Sequence, residues 1–253
     1  MNNIKIINNK LENYSNDYII VKNNNITFLK SNEYNIEYIN STNISINFIL
    51  NSNVDINLFI MSKDNNININ NTYNLDENSN LILNKFYCNE EIKENITINL
   101  NGKNATFTTN FSSISKNIEQ YNLIINHNNS NTKSYVSNKC IGYNESKLDF
   151  TIDSILPKGN INCIIDQTTK VLTLSDVDAK INPNMFIEED STEARHGSVI
   201  STFNEEEIFY LTSRGIPKEE AIYLLIKGFI FSNLDLDMNN KAIILECINS
   251  IRR

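Results

Sequence analysis

From residue 44 to residue 187 the chain is a succession of short apolar segments separated by asparagines and other polar residues, without a convincing helical pattern. Many segments alternate cleanly between apolar and polar residues, as in residues 44–48 (ISINF) and 96–100 (ITINL). Side chains of a β-strand point to opposite faces in turn, so this alternation predicts strands that bury one face. The short, even spacing leaves three architectures open: a β-sandwich, a β-barrel or a stacked parallel β-helix.

The scarcity of glycine and proline favours the parallel β-helix. The chain has 6 glycines and 3 prolines in 253 residues, and no proline precedes Pro157. The Asn-Gly and Asp-Gly pairs that are typical of tight hairpins occur once, at Asn101-Gly102. Asparagine accepts turn and left-handed conformations, so asparagine-rich corners are expected to replace glycine between the strands of a solenoid. No strict repeat length emerges from the sequence.

Three regions follow from these patterns. Residues 1–40 are predicted to form a short N-terminal β segment, residues 41–203 the β-helix core and residues 204–253 a C-terminal helical region. The boundary after Phe203 is the point where the apolar period changes from 2 to 3.6 residues.

The helical region has clear start and stop signals. Asn204 is a suitable N-cap for a helix at residues 205–214, in which Phe209 is expected to belong to the core. Pro217 predicts the start of a second helix, and a third helix is predicted at residues 240–251.

Charge and missing motifs exclude several classes of function. The net charge is −8, with no basic stripe, so the sequence predicts no nucleic-acid partner. It contains no GxxxxGK[ST], HExxH, GxSxG or GxGxxG motif, which argues against a self-contained enzyme. Two alternatives stay open: a β-helix polysaccharide lyase or hydrolase that uses paired acids such as Asp176 and Asp178, and a non-catalytic solenoid for interaction.

The cysteines and the N-terminus indicate a cytoplasmic protein. No cysteine lies within four residues of another, which excludes CxxC metal and redox motifs and predicts reduced thiols, mostly in the core. No secretion signal and no run of about 18 apolar residues is present, so no membrane association is expected. The four cysteines of the chain are Cys88, Cys140, Cys163 and Cys247.

Motifs in the C-terminal half resemble those of a known family. The most specific block, at a set distance after His196-Gly197, is Phe209-Tyr210-Leu211-x-Ser213-Arg214-Gly215-Ile216. Flanking matches are Leu172-x-Leu174-Ser175, Ala179, Pro183, Ile187-x-x-Asp190 and Ala221-x-x-Leu224-Leu225-x-x-Gly228-Phe229, with weaker ones at His127, Thr132, Ser134, Gly159, Ile161 and Gln167. This pattern resembles the SufB/SufD family, the scaffold proteins of iron–sulfur cluster assembly.

The resemblance implies a fold and a set of partners. The fold would be mainly β, a right-handed parallel β-helix (solenoid) followed by a C-terminal α-helical region. The chain would be a non-enzymatic scaffold that dimerises through its β-helix with a SufB-like subunit or with itself. A SufC-like ABC ATPase would bind the C-terminal helices, and Tyr210, Arg214 and Gly215 are the candidate contacts. No cofactor is expected to bind stably; an iron–sulfur cluster would be held only transiently.

Within the family the chain looks SufD-like. The SufB type carries a cysteine shortly before the Leu-Leu-Ile block and a glutamate directly after the histidine, and those positions fall near Thr169 and at Gly197. His196-Gly197 follows the SufD pattern, although Ala194 stands where a cysteine is often found. His196 is the candidate cluster ligand, since neutral imidazole suits iron; the alternative is a histidine hydrogen-bonded at a strand end. His127 is expected to be structural.

Overall fold

A computed structural model describes residues 2–63, 66–234, 236 and 238–250. Within these residues eighteen strands precede three helices, so the protein is mainly β with a helical C-terminal region, as predicted. The strands are β1 (Asn2–Ile7), β2 (Lys10–Leu11), β3 (Tyr14–Ser15), β4 (Ile19–Lys22), β5 (Asn25–Phe28), β6 (Asn32–Ile39), β7 (Asn43–Leu50), β8 (Asp55–Lys63), β9 (Ile67–Leu75), β10 (Asn80–Cys88), β11 (Glu91–Leu100), β12 (Thr106–Ser115), β13 (Ile118–His127), β14 (Lys133–Gly142), β15 (Lys147–Leu156), β16 (Cys163–Thr173), β17 (Asp178–Ile187) and β18 (Thr192–Ser201). The helices are α1 (Glu205–Ser213), α2 (Lys218–Phe231) and α3 (Met238–Ser250).

From β5 onward the strands alternate between two nine-stranded sheets along the chain. From β7 to β16, each strand pairs in parallel with the strands two places before and after it; β10 pairs with β8 and β12, and β11 pairs with β9 and β13. This arrangement is a parallel β-solenoid, which confirms the predicted fold class. The sandwich and barrel alternatives are wrong.

The first forty residues extend the same two sheets. β1 pairs in parallel with β6, and β5 pairs in parallel with β7. The short strands β2, β3 and β4 add antiparallel pairs at this end. Ile4, Ile26 and Phe28 are buried in the same apolar cluster that runs through the later coils.

Successive coils differ in length, which explains why the sequence shows no strict repeat. Side chains that hydrogen-bond between neighbouring coils are 25 residues apart at Asn70 and Asn95. They are 31 residues apart at Asn138 and Thr169. The strands stay in register because the additional residues lie in the connections between them.

Asparagine forms the corners, as predicted. In the described part of the chain eleven asparagines have a positive φ, a conformation that most residues avoid and that asparagine tolerates. Three of them, Asn53, Asn78 and Asn104, stack at equivalent corners of successive coils. The Asn78 amide donates to Asn53 Oδ1 at 3.1 Å, and the Asn104 amide donates to Asn78 Oδ1 at 2.7 Å. The turn residues therefore also bond to one another.

A longer asparagine ladder runs across the outer face of the second sheet. Each member after the first donates its amide N–H to the Oδ1 of the residue one coil earlier, at 2.7 to 2.9 Å. The amides are half-buried, so each is partly shielded from competing water. A side-chain amide carries both donors and an acceptor, which allows an indefinite chain of such bonds. The members are Asn25, Asn47, Asn74, Asn99 and Asn126.

The interior between the sheets is filled by stacked apolar side chains. The rings of Phe48 and Tyr73 stack with centroids 4.4 Å apart, and those of Tyr121 and Phe150 with centroids 4.7 Å apart. These rings come from neighbouring coils, because parallel register places equivalent positions above each other. Each fully buried side chain of this size contributes about 1.5–3 kcal/mol to folding.

The helices pack against the first sheet through a second apolar cluster. Ile226 and Ile230 of α2 and Ile244 of α3 are buried there with Phe86 and Ile141 of the solenoid. Asn204 caps α1 as predicted, since its Oδ1 accepts from the backbone N–H of Glu206 at 2.9 Å. No helix in the described part of the chain is long and apolar enough to cross a membrane.

The predicted burial of Phe209 is wrong. Its side chain is 73% exposed, and α1 contains no fully buried residue. The apolar period of this helix therefore marks a surface left uncovered in the isolated chain. The predicted third helix begins two residues earlier than expected, and its expected last residue, 251, lies outside the described residues.

The asparagine ladder predicts a graded loss of stability. Asn99→Ala removes the hydrogen bond that Asn99 donates and the one that it accepts. Asn126→Ala, at the end of the ladder, removes only the bond that Asn126 donates. At roughly 1 kcal/mol per hydrogen bond, we expect a loss of about 2 kcal/mol for Asn99→Ala and about half for Asn126→Ala. Thermal unfolding of the two variants side by side measures the difference; equal shifts in Tm would contradict the ladder.

Candidate functional site

The last coil of the solenoid is open. β17 and β18 stand at the ends of the two sheets, and each pairs with only one other strand among the described residues. Their outer edges therefore present backbone N–H and C=O groups without strand partners. Such edges are ready templates for pairing with another chain.

His196 lies on the inward-facing row of this open coil. Paired residues of parallel strands face the same side of a sheet. Ala194, His196 and Ser198 on β18 pair with three buried residues of β16, namely Ile165, Gln167 and Thr169. The three β18 side chains are nevertheless exposed, because no further coil covers them. The sequence-predicted candidate is thus at the mouth of the solenoid.

The opposite sheet contributes an apolar row to the same end. Ile181, Pro183 and Met185 on β17 pair with inward-facing residues of β15 and are only partly buried. Together the two rows form an apolar surface around the imidazole. A surface of this kind usually marks a site of association.

Gln167 places an unused acceptor beneath His196. Its amide Nε2 donates to Ser154 Oγ at 2.7 Å and to the backbone oxygen of Asn184 at 3.4 Å. Its Oε1 is buried without a hydrogen-bond partner. On the outward face of the strand, Arg195 donates to Asp166 Oδ2 at 2.8 Å, which ties the edge strand to its neighbour beside the histidine.

The predicted partner-binding residues form one exposed group on a different element. Tyr210 is exposed on α1, and the Arg214 guanidinium lies 4.9 Å from the centre of its ring. Gly215 ends the helix with φ of +85°, a left-handed conformation that favours glycine. Beside this group, a groove of about 1100 Å³ separates α1 and α2 from the last coils. Its apolar lining includes Phe203 and Phe209.

His127 forms a closed cluster inside the solenoid, in agreement with its predicted structural role. It is fully buried, with Nδ1 2.8 Å from Thr132 Oγ1 and Nε2 2.9 Å from Ser134 Oγ. Thr132 donates to the Asn129 carbonyl and so accepts from the imidazole. The two hydroxyls satisfy a neutral ring, and burial lowers the pKa of His127 to about 4.

A second buried group was not anticipated from the sequence. The Lys85 ammonium pairs with Glu94, whose other oxygen accepts from Tyr87 at 2.6 Å. Glu119 accepts from Ser113 and Tyr121, each at 2.8 Å, and burial raises the pKa of Glu119 to about 7. The available signal was a charged residue at an apolar position of the alternation, as in residues 92–96 (IKENI).

The predicted candidates do not form a complete metal site in this chain. Among residues 2–63, 66–234, 236 and 238–250, no three His, Cys, Asp or Glu side chains come together as metal ligands. Cys163 is buried beside Thr132, with its Sγ 3.2 Å from Oγ1, and Cys140 is buried as well. All four cysteines are buried and none is in a disulfide.

The neutral, buried His127 predicts a pH-dependent contribution to stability. Its folded pKa of about 4 lies below the ordinary 6.5, so the contribution is present above pH 6.5 and is lost as the pH falls towards 4. The full shift corresponds to about 3 kcal/mol. We expect His127→Gln to lower Tm strongly at pH 7.5 and much less at pH 4.5. The difference in Tm between the wild-type protein and the variant at each pH cancels the opposite titration of Glu119, which both proteins share. A difference in Tm that does not change with pH would refute the neutral, buried state of His127.

Comparisons with known proteins agree with this geometry. A family model described as SUF system FeS cluster assembly, SufBD core domain, matches residues 8–229. The iron–sulfur cluster assembly protein SufD of Bacillus subtilis is 41% identical over 66 residues, which cover 26% of this chain and 15% of that protein. A SufBD family protein of Pyrococcus horikoshii is 38% identical over 74 residues, covering 29% and 15%.

The matches to individual proteins are short relative to those proteins. The SufBD family protein ycf24 of Pyropia yezoensis is 28% identical over 120 residues, and the match spans a quarter of its length. The family model, in contrast, extends from the first coils through α2. On this match, the chain belongs to the SufB/SufD family of iron–sulfur cluster assembly proteins.

Proposed function

We propose that this chain is a SufD-like accessory scaffold of a SUF-type assembly complex, with no catalytic step of its own. Its family supports a role in iron–sulfur cluster assembly. The observation that carries the more specific proposal is the uncovered last coil, where His196 stands on an exposed, inward-facing row. Buried free thiols suit a reducing compartment, and we place the protein in the cytoplasm.

In this proposal the open end is where the second subunit binds. Two strand edges and an apolar mouth are exposed together, and a subunit of the same architecture can continue both sheets. The partner is a SufB-like chain or a second copy of this one. Pairing would bury Ile200, which is 48% exposed on the last strand.

His196 then lies at the subunit interface and offers one imidazole ligand to a growing cluster. The cluster is cargo that the complex builds and passes on, so no stable occupancy is proposed. Thr169 and Gly197 stand where SufB-type ligands are expected, so the remaining ligands come from the partner. Imidazole replaces thiolate in some iron–sulfur centres, which makes this division chemically reasonable.

The C-terminal helices are the proposed contact for a SufC-like ABC ATPase. α1 exposes Phe209, Tyr210 and Arg214 on one short helix, and aromatic and arginine side chains are enriched in protein interfaces. The helix follows directly after β18, so movement of α1 can be transmitted to the strand that carries His196.

The ATPase contact is tested by copurification with a SufC-like ATPase. We expect the full chain to retain the ATPase and the double variant Tyr210→Ala/Arg214→Ala to bind it at least 10-fold more weakly, since it loses a stacked aromatic–cation pair. The matched control is Tyr18→Ala/Lys30→Ala, which removes a similar pair from the other end of the molecule. Retention of binding by the helix variant, or equal loss in the control, would reject this surface.

The cluster-ligand role of His196 is tested by anaerobic reconstitution with both partner subunits. We expect His196→Ala to lower the yield of cluster, measured by absorbance and iron content, while Tm stays unchanged because the side chain is exposed. Ser198→Ala, two residues along the same row, is the control. An unchanged yield of cluster in His196→Ala would reject the ligand role and leave His196 with a structural role at the strand end.

A further inference from the structure

Two cysteines that are far apart in sequence meet where the helices join the solenoid. Cys88 is the last residue of β10 and Cys247 lies in α3. Both cysteines are buried in the same apolar cluster, and neither is in a disulfide. They share the apolar cluster that fixes the helices to the first sheet.

A neighbouring ion pair supports this placement independently. The strand register pairs Cys88 with Lys63 at the end of β8. The Lys63 ammonium lies 4.0 Å from a carboxylate oxygen of Glu246, the residue before Cys247. The turn of α3 that carries Cys247 is therefore seated on the coil edge that carries Cys88.

Lys116 lies beside the residues that follow Cys88, since it pairs with Glu90. Burial disfavours the charged form of Lys116, but its neighbours, Cys88 foremost, raise its pKa overall. Its ammonium also lies 3.6 Å from Glu90 Oε1. The hydrogen bond with Cys247 and burial raise the pKa of the Cys88 thiol, and the charge of Lys116 acts in the opposite direction. Lys116 is thus placed to stabilise a thiolate when one forms.

The other two cysteines have different surroundings. Cys163 contacts the Thr132 hydroxyl and three backbone carbonyls. Cys140 contacts Ser113. Hydroxyl and carbonyl partners cannot form a covalent bond with a thiol under oxidation, so these two cysteines are matched internal controls.

We propose that Cys88 and Cys247 are a redox-active dithiol that a peroxide converts to a disulfide between β10 and α3. One thiolate attacks hydrogen peroxide, which gives a sulfenic acid and hydroxide. The second thiol then attacks the sulfenic sulfur, forming the S–S bond and releasing water. In total two thiols lose two electrons and two protons, and the peroxide becomes two molecules of water.

The bond forms when the two sulfur atoms reach a distance of about 2.05 Å. The contact between Lys63 and Glu246 already holds this turn of α3 on the edge of the coil that carries Cys88. Once formed, the bond closes a loop that contains most of the later coils and the first two helices. It holds the helical region against the solenoid, and thiol reductants release it. The disulfide does not depend on the proposed function.

The test uses the full-length purified chain without partners. The protein is treated with hydrogen peroxide at pH 8, the remaining thiols are alkylated, and disulfide-linked peptides are identified by mass spectrometry. We expect a linked pair containing Cys88 and Cys247, and a Tm that rises by about 5 °C or more and falls again with dithiothreitol. Cys247→Ser should abolish both effects, and Cys140→Ser should leave both intact.

The variant Lys116→Met adds a kinetic test. Its expected outcome does not follow if Lys116 contributes only to packing. We expect the bond to form several-fold more slowly at pH 7.5 in this variant, because the thiolate loses its neighbouring charge. The proposal is overturned if Cys88 is oxidised to sulfinic acid without a link. A rise in Tm that persists in Cys247→Ser, or links to Cys140 and Cys163 in similar yield, overturns it equally. These outcomes are independent of any failure to bind an ATPase or a cluster.

Discussion

In-register stacking of parallel strands is the interaction on which the rest of this structure depends. Each coil sets its side chains directly on those of the coil before it. Amides therefore stack on amides outside, as Asn99 does on Asn74, and rings stack on rings inside, as Tyr73 does on Phe48. The arrangement converts a composition rich in asparagine and poor in glycine into corners and ladders. Stacking alone also provides no end to the solenoid, because the last coil of any such stack has unpaired strand edges.

The same stacking constrains the charged groups of the interior. Lys85 and Glu94 occupy inward-facing positions and are removed from water, which is costly unless the charges are paired and hydrogen-bonded. Their mutual contact and the Tyr87 hydroxyl meet that requirement. Glu119 accepts hydrogen bonds from two hydroxyl groups, and burial together with the nearby charge of Glu94 raises its pKa to about 7. The interior is thus an apolar stack interrupted by a small number of hydrogen-bonded polar clusters.

The two ends of the solenoid differ in structure. The N-terminal end is closed by short antiparallel strands, whereas the C-terminal end leaves β17 and β18 uncovered. The chain then turns back, so that α2 and α3 pack on the side of the first sheet near Phe86 and Ile141. The exposed edge and the exposed helix α1 are consequently adjacent in sequence but belong to different surfaces. That separation leaves two distinct exposed surfaces on one chain.

The sequence by itself determined what depends on local physics. Alternation predicted the strands, asparagine predicted the corners, and the cap at Asn204 predicted α1, because each of these preferences acts over a few residues. The resemblance to the SufB/SufD family also singled out His196 in the sequence. Only the tertiary structure decided that this histidine faces inward on an uncovered coil, and that Phe209 is exposed. Only the tertiary structure showed that Cys88 and Cys247 belong to one cluster. The register between coils of unequal length cannot be read from the sequence, and contacts between distant residues leave no local pattern.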